Sequence, residues 1–444
     1  MKDNNIRDEF KTKLGFIIAC VGSAVGMGNI WMFPYRIGEF GGAAFLVPYF
    51  IFVLLLGFSG VVGEMAFGRA MKTGPIGSFA KAVEMRFGKE KSYIGKLVGA
   101  IPVLGSLGIG IGYSVVVAWF LKYLFGSLTG SLGQVNDYGA YFGSVAVSFG
   151  NVPWHMIGLA ITFIIMALGV TKGIEKMNKF MMPVFFVFFV ILLIRVFTLP
   201  NAFEGYKYMF IPRWESLWNV KTWAYALGQA FFSLSLAGSG TIVYGSYLKK
   251  DVDVAECAKN VAFFDTCAAL LAGMVIIPAV FAFGLDVGSG PPLMFITLPM
   301  VFAKMPMGIV FEIIFFIAVL FAALTSVMNL YETPIEALQG QFGLSRIAAV
   351  AVIGVISAVV GVFIESGDAI GVWMDAVSIY IIPLGALIAA IMFYWVCPKG
   401  FAREQAELGA AKPMGKYFEP ITKYVFVGIT TVVYILGILF GGIG

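Results

Sequence analysis

Charged residues are scarce in this 444-residue chain, at 12% of the total, while 60% of its residues are hydrophobic. Soluble domains carry about 25% charged residues, so the composition excludes an ordinary soluble protein. The four cysteines lie within or at the ends of apolar stretches, and free thiols are expected rather than disulfides. The net charge of +5 is dispersed over many segments, which argues against a nucleic-acid partner.

The motifs of common enzyme classes are also missing. There is no nucleophile elbow or Walker-type phosphate loop, and the glycine-rich run at 22–28 follows an apolar segment rather than a strand. The single histidine, His155, leaves no zinc-binding spacing. Placed near the end of an apolar stretch, it is expected to be structural or incidental. The sequence therefore does not predict an enzyme.

What the chain has in abundance is apolar stretches long enough to cross about 30 Å of hydrocarbon. They predict an all-α membrane protein with 11 transmembrane helices, one integral membrane domain over residues 1–444. No cleavable signal peptide is expected, because a polar start leads directly into a full-length span. The stretches cover approximately residues 14–40, 43–68, 97–126, 154–171, 177–198, 222–247, 257–285, 307–338, 344–364, 371–397 and 422–443.

Lysine and arginine are distributed unevenly among the connecting segments. Residues 69–96 include seven of them, whereas residues 128–153 include none. Because basic residues concentrate in cytoplasmic loops, this asymmetry predicts a cytoplasmic N-terminus. With an odd number of spans the C-terminus would be extracellular. The expected location is a multi-pass position in the plasma membrane, with the lipid bilayer as a partner.

Two of the apolar stretches are interrupted where a helix is expected. Residues 22–29 read GSAVGMGN, and residues 233–241 read SLSLAGSGT. Each glycine costs about 1 kcal/mol relative to alanine in a helix, and backbone groups freed in hydrocarbon need partners. Such breaks persist where they line a cavity and bind ions or polar solutes. Broken helices 1 and 6, in corresponding positions of two halves, therefore predict a secondary transporter.

The first break continues as GSAVGMGNIWMFP over 22–34, which resembles the first-span signature of the neurotransmitter:sodium symporter family. The eleven-span length resembles the bacterial hydrophobic and aromatic amino-acid transporters of that family. The resemblance implies two inverted five-helix repeats, residues 14–198 and 222–397, with a peripheral helix at 422–443. Further matching motifs are GGAAF at 41–45, EMAFGR at 64–69, GQAFFSLSL at 228–236 and AALTS at 322–326.

The start of the fifth stretch lies between Gly173 and Pro183. Proline cannot donate a backbone hydrogen bond and glycine weakens the helix, so this end is able to unwind. The same glycine–nine–proline spacing is similar to an unwinding motif of the bacterial subgroup. An ordinary helix start near Glu175 explains the local sequence equally well.

The resemblance further implies two sodium ions, which need oxygen ligands because sodium is a hard cation. Asp265 departs from much of the family, which has asparagine there, and an acid near the bilayer midplane is expected to be functional. Thr325 and Ser326 could instead bond to their own helix. Sodium site 1 would comprise Ala24, Asn29, Ser233 and Asp265, and sodium site 2 would comprise Gly22, Val25, Ala322, Thr325 and Ser326.

The matching positions also imply a zwitterionic amino acid as the small-molecule substrate. Amides at a helix N-terminal end favour its carboxylate, and carbonyls of the breaks accept its ammonium group. Tyr113 would bind the carboxylate, although a single tyrosine in an apolar stretch is also what an ordinary buried core residue would give. Gly238 replaces a phenylalanine of some members and would leave extra room. The expected substrate-binding residues are Ala24, Gly26, Met27, Gly28, Ile109, Tyr113, Phe232, Ser233, Ser235, Gly238, Ser326 and Leu330.

Together these features predict a sodium-coupled symporter that imports neutral hydrophobic L-amino acids by alternating access. Chloride is not expected to be needed, because Asp265 supplies a fixed negative charge. Two alternatives stay open: a proton- or exchange-coupled carrier of the same architecture, and a non-transporting sensor of sodium and amino acid. Met32 stands where much of the family has a gate arginine opposite an acid near Asp375, so the gate is not predicted. The oligomeric state is also open.

Overall fold

The computed structural model describes residues 10–285 and 292–442, and no strand occurs among them. The principal helices are α1a (Lys13–Ala24), α1b (Gly28–Glu39), α2 (Ala43–Met71), α3 (Lys89–Thr129), α4 (Val152–Ala167), α5 (Val170–Phe197), α6a (Val220–Ser233), α6b (Gly240–Ser246), α7 (Val254–Ala282), α8 (Gly308–Phe342), α9 (Arg346–Phe363), α10 (Gly367–Val396) and α11 (Phe418–Phe440). Shorter connecting helices include Pro75–Phe87, Tyr138–Val145, Ala202–Phe210 and Leu293–Lys304.

Among the described residues, eight helices are long and apolar enough to cross a membrane alone. The bent pair of α1a and α1b makes a ninth candidate. The other two expected spans correspond to α4, which has 16 residues, and to α6, which the break divides into two short pieces. The all-α membrane fold is thus confirmed, whereas the count of eleven spans stays a prediction.

The two predicted breaks are present. α1a and α1b meet at an angle of 51°, because Val25 leaves the helix with an extended backbone. In the α6 break, Ser235 and Gly238 have φ of 54° and 66°. This left-handed region favours glycine and is uncommon for other residues, so the chain cannot continue as a helix there.

Lys13 at the start of α1a pairs with Glu256 near the start of α7, so these two helix starts lie at the same end of the bundle. We call the end where Lys13, Met71 and Lys89 lie the amino face, and the end with Glu39 and Thr129 the far face. α1a lies among α5, α7 and α8. α11 is only 22% buried over its most apolar window, as expected for a peripheral helix. The boundaries of the two repeats stay a prediction.

The four cysteines are free, and His155 is not on a loop surface but completely buried. Its Nδ1 lies 3.2 Å from Glu365 Oε1, and its Nε2 lies 2.9 Å from Ser114 Oγ. Glu365 also accepts a hydrogen bond from the Asn151 amide at 3.2 Å. The lone histidine therefore joins α3, α4 and the end of α9 through a buried polar network.

Replacing His155 with alanine is expected to lower the free energy of unfolding by about 3 kcal/mol, because Glu365 would stay buried without its main partner. Thermal unfolding of the purified protein in detergent measures the effect. His155→Gln keeps a donor for Glu365 and should lose less. An unchanged unfolding temperature in the alanine variant would show that the network does not stabilise the bundle.

Candidate functional site

A cavity lies where the breaks of α1 and α6 face each other. Its walls come from the two breaks and from α3, α8 and α10, and none of the lining side chains is charged. The lining residues are Ser23, Ala24, Gly26, Gly28, Asn29, Ile109, Tyr113, Phe232, Ser233, Ser235, Leu236, Ala237, Ser239, Gly240, Ser326, Asn329, Leu330 and Ile382. The backbone of the two breaks thus lies on one side of the cavity, and apolar side chains such as Ile109 and Leu330 lie on the other.

All but two of the expected substrate-binding residues lie on this cavity; the exceptions are Met27 and Gly238. Met27 lines a separate cavity toward the far face. A Cβ at Gly238 would lie 2.4 Å from the carbonyl oxygen of Gly385 on α10. A phenylalanine at this position would therefore meet α10 rather than fill the cavity. The expectation that Gly238 enlarges the cavity is not supported by this geometry.

Sequence reasoning missed several lining residues, of which Ser23 is the most connected. Its carbonyl accepts hydrogen bonds from Ser235 Oγ at 3.0 Å and from Ser326 Oγ at 3.3 Å. It therefore ties the first break to the second break and to α8. The signal was available, because Ser23 stands inside the glycine-rich run. For Ile382 on α10 the sequence offered no signal.

A second and larger cavity opens toward the far face and shares Gly28, Tyr113 and Phe232 with the first. These three residues form the partition between the two spaces. Met32 and Asp375 both line the larger cavity, which we call the vestibule. Arg36, one turn beyond Met32, also lines it, with its guanidinium 4.2 Å from the centre of the Tyr225 ring.

The amino-face side of the breaks is filled by aromatic side chains. Phe10 packs edge-on against Phe16 at 5.3 Å and against Tyr244 at 5.5 Å between ring centres. Tyr247 also packs edge-on against Phe10, at 6.3 Å between ring centres. The structure therefore combines an open vestibule at the far face with close packing at the amino face.

Three of the residues expected in sodium site 1 form one buried cluster beside the cavity. Asp265 accepts hydrogen bonds from Asn29 Nδ2 at 2.7 Å and from Ser233 Oγ at 2.7 Å. Asn29 Nδ2 also donates to the Asp265 carbonyl at 3.0 Å. Asn29 Oδ1 accepts from the Gly26 amide at 3.1 Å. The cluster joins α1, α6 and α7 with oxygen atoms of the type that a hard cation prefers.

The residues expected in sodium site 2 lie where the first break packs on α8. A Cβ at Gly22 would lie 3.1 Å from Thr325 Cβ, and one at Gly26 would lie 2.8 Å from Ser326 Oγ. Thr325 Oγ1 donates to the carbonyls of Phe321 at 3.1 Å and Ala322 at 3.0 Å. This is the bond to its own helix considered above, yet it leaves lone pairs on the hydroxyl oxygen for a cation.

The model of the Sodium:neurotransmitter symporter family matches residues 7–138 and 142–440. The chain belongs to this family. It is 38% identical over 327 residues to the uncharacterized sodium-dependent transporter YhdH of Bacillus subtilis, covering 73% of this chain and 71% of the relative. A sodium-dependent transporter of Haemophilus influenzae is 33% identical over 353 residues, covering 78% and 76% of the two chains.

Among solved structures, the chain is similar to MhsT in a crystal structure of its complex with L-phenylalanine. The two chains are 34% identical and superpose with a TM-score of 0.85, covering 97% of this chain and all of MhsT. Family membership confirms the resemblance read from the motifs. The protein is a multi-pass membrane transporter that depends on sodium, and not an enzyme.

Proposed function

We propose that this sodium:neurotransmitter symporter imports neutral L-amino acids with bulky aliphatic or aromatic side chains. Two sodium ions would accompany each substrate, and chloride would not be needed. The cavity at the two breaks carries the proposal, because it places backbone polar groups opposite the apolar Ile109, Phe232 and Leu330. The presence of L-phenylalanine in the similar MhsT structure supports the same substrate class.

Each end of the substrate has matching chemistry in the cavity. The first turn of α1b begins at Gly28, and helix N-termini have amides without intrahelical partners that attract a carboxylate. The Gly26 amide already donates to Asn29 and Met27 does not line the cavity, so the Gly28 amide is assigned this role, with the Tyr113 hydroxyl. Carbonyls of the second break would accept the ammonium group. No lining side chain is charged, which disfavours acidic and basic amino acids.

The two sodium sites are assigned to the clusters described above. Site 1 comprises Ala24, Asn29, Ser233 and Asp265, and it borders the substrate cavity. Site 2 comprises Gly22, Val25, Ala322, Thr325 and Ser326, at the contact of the first break with α8. Both sites use groups that the breaks free from helical hydrogen bonding. Sodium therefore stabilises the arrangement of the breaks that holds the substrate, and this is the physical basis of the coupling.

The orientation completes the proposal. The basic segment 69–96 lies at the amino face, which we assign to the cytoplasm. The vestibule would then open to the outside, and the C-terminus would be extracellular. Substrate and sodium would enter past Gly28, Tyr113 and Phe232, and they would leave through the aromatic packing around Phe10 and Tyr244.

Uptake of radiolabelled L-phenylalanine into proteoliposomes is expected to require external sodium. Replacing sodium with potassium at constant ionic strength should reduce uptake to the level of empty liposomes, because the breaks would lose their ions. Gluconate in place of chloride should change nothing. Unchanged uptake in potassium would favour proton or exchange coupling, and sodium-dependent binding without uptake would favour a sensor; either result would refute the proposal.

A further inference from the structure

Asn178 is a completely buried polar residue on α5 that no assigned site includes. Its Nδ2 donates to the carbonyl of Ile174, one turn earlier, at 2.8 Å. Only the amide nitrogen is able to donate to a carbonyl, so this bond fixes the orientation of the side-chain amide. The opposite atom, Oδ1, is buried and has no hydrogen-bond partner among the described residues.

The unpartnered oxygen faces the first helix break. A Cβ at Gly22 would lie 2.0 Å from Asn178 Oδ1 and 3.1 Å from Thr325 Cβ. The same point on α1a is therefore contacted by an amide oxygen from α5 and by a threonine from α8. Gly22 and Thr325 both belong to proposed sodium site 2. The oxygen thus lies at the edge of that site and on a helix that does not yet contribute to it.

A buried carbonyl-type oxygen without a donor is costly, and each such atom in a folded protein calls for an explanation. No donor of the protein reaches this oxygen among the described residues. A hard monovalent cation would satisfy the oxygen, and sodium accepts neutral amide oxygens as ligands. The position, the burial and the chemistry of this oxygen therefore all fit a sodium ligand.

We infer that Asn178 Oδ1 is a further sodium ligand at site 2, contributed by α5. This inference rests on the proposed function, since it requires sodium at the contact of α1 and α8. Asn178 lies between Gly173 and Pro183, so the bound ion holds the weak start of α5 against α1a. Release of the ion removes this link and leaves that segment free to unwind toward the amino face.

A second contact between α5 and the start of α1a shows by comparison what the ion would add. Glu175, one turn nearer the amino face, accepts hydrogen bonds from the Lys11 amide at 2.8 Å and from Thr12 Oγ1 at 3.1 Å. α5 and α1a are thus joined at two heights. The contact at Glu175 is a direct hydrogen bond between protein groups, whereas the contact at Asn178 would run through the ion. Only the contact at Asn178 therefore depends on sodium.

Sodium-induced thermal stabilisation of the purified protein tests the inference, with sodium chloride exchanged for choline chloride at constant ionic strength and no amino acid present. Asn178→Leu keeps a similar volume but removes the oxygen. The sodium concentration for half-maximal stabilisation should rise about tenfold, the factor that corresponds to about 1.4 kcal/mol. Asn178→Asp keeps an oxygen in the same place and should retain or increase sodium affinity. The preference for sodium over lithium should also change in both variants.

The matched control is Asn260→Leu, because Asn260 makes the same bond to the preceding turn, to the Glu256 carbonyl at 2.9 Å, on exposed α7 surface. It should respond to sodium like the wild type. Wild-type sodium response in Asn178→Leu would overturn the inference. Should that variant not fold, an unchanged preference for sodium over lithium in Asn178→Asp would overturn it instead. A wild-type protein that sodium does not stabilise would refute the proposed function itself.

Discussion

Replacing Asp265 with asparagine is expected to weaken sodium binding about a hundredfold, since removing one member of a buried charge pair costs about 3 kcal/mol or more. Asp265 is completely buried, and its carboxylate oxygens are held by Asn29 and Ser233. It is the one charged side chain in proposed site 1. Asparagine keeps an oxygen but removes the charge and turns one acceptor into a donor. Sodium-dependent binding of labelled L-phenylalanine measures the loss.

The same variant tests independence from chloride. Wild-type uptake should proceed fully in gluconate, because Asp265 supplies the negative charge that balances the cations. The asparagine variant should regain part of its uptake when chloride is added, since a diffusible anion replaces that charge. Asp253→Asn, at the start of the same helix, where Asp253 accepts from the Ala255 amide at 2.9 Å, is the control and should stay insensitive. Wild-type uptake that collapses in gluconate would contradict the proposal.

Thr325→Val is expected to raise the sodium concentration needed for half-maximal uptake about tenfold to a hundredfold, as for losing a hydrogen-bonding contact to a charged group. Valine keeps the shape of the buried threonine, so packing between Gly22 and α8 should survive. The lost hydroxyl leaves the sodium ion one oxygen short. Uptake of L-phenylalanine at graded sodium concentrations measures the change, with the maximal rate largely retained at saturating sodium.

A control for this variant is Thr162→Val on α4. Thr162 is equally buried, and its hydroxyl donates to the Gly158 carbonyl at 2.9 Å, as a threonine does when it bonds to its own helix. If Thr325 acted only through such a bond, both substitutions would have the same small effect on stability and none on sodium. A sodium dependence in Thr325→Val identical to that of the wild type would remove Thr325 from site 2.

The helices and the two breaks could be predicted from the sequence because their signals are local. Apolar length predicted the spans, and glycine density predicted the interruptions near Gly26 and Gly238. The expected stretches agree closely with the helices, with the largest extension at α3, which begins at Lys89 instead of near residue 97. There the polar start lies outside any apolar stretch, so hydropathy could not reveal that the helix continues.

The site was harder to predict where a residue's role depends on the direction in which its side chain points. Gly238 was expected on the cavity, yet its φ of 66° turns the position toward Gly385 on α10. In a regular helix the periodicity of about 3.6 residues gives the direction of each side chain. An irregular break has no such periodicity, so the direction of a side chain there cannot be inferred from the sequence. Asn178 was missed for a related reason: its role depends on Gly22 and Thr325, which only tertiary packing brings beside it.

The vestibule also affects where the membrane voltage falls within the protein. Water has a high dielectric constant, so the electric field inside the vestibule is weak. The potential therefore falls mainly across the low-dielectric remainder, the aromatic packing between the breaks and the amino face. In the proposed orientation, an ion that reaches the partition at Gly28, Tyr113 and Phe232 from outside has therefore crossed little of the voltage. The energy of about 2.3 kcal/mol per charge for each 100 mV is then released mostly during the inward half of the cycle. Hyperpolarisation would drive release into the cell more than capture from outside.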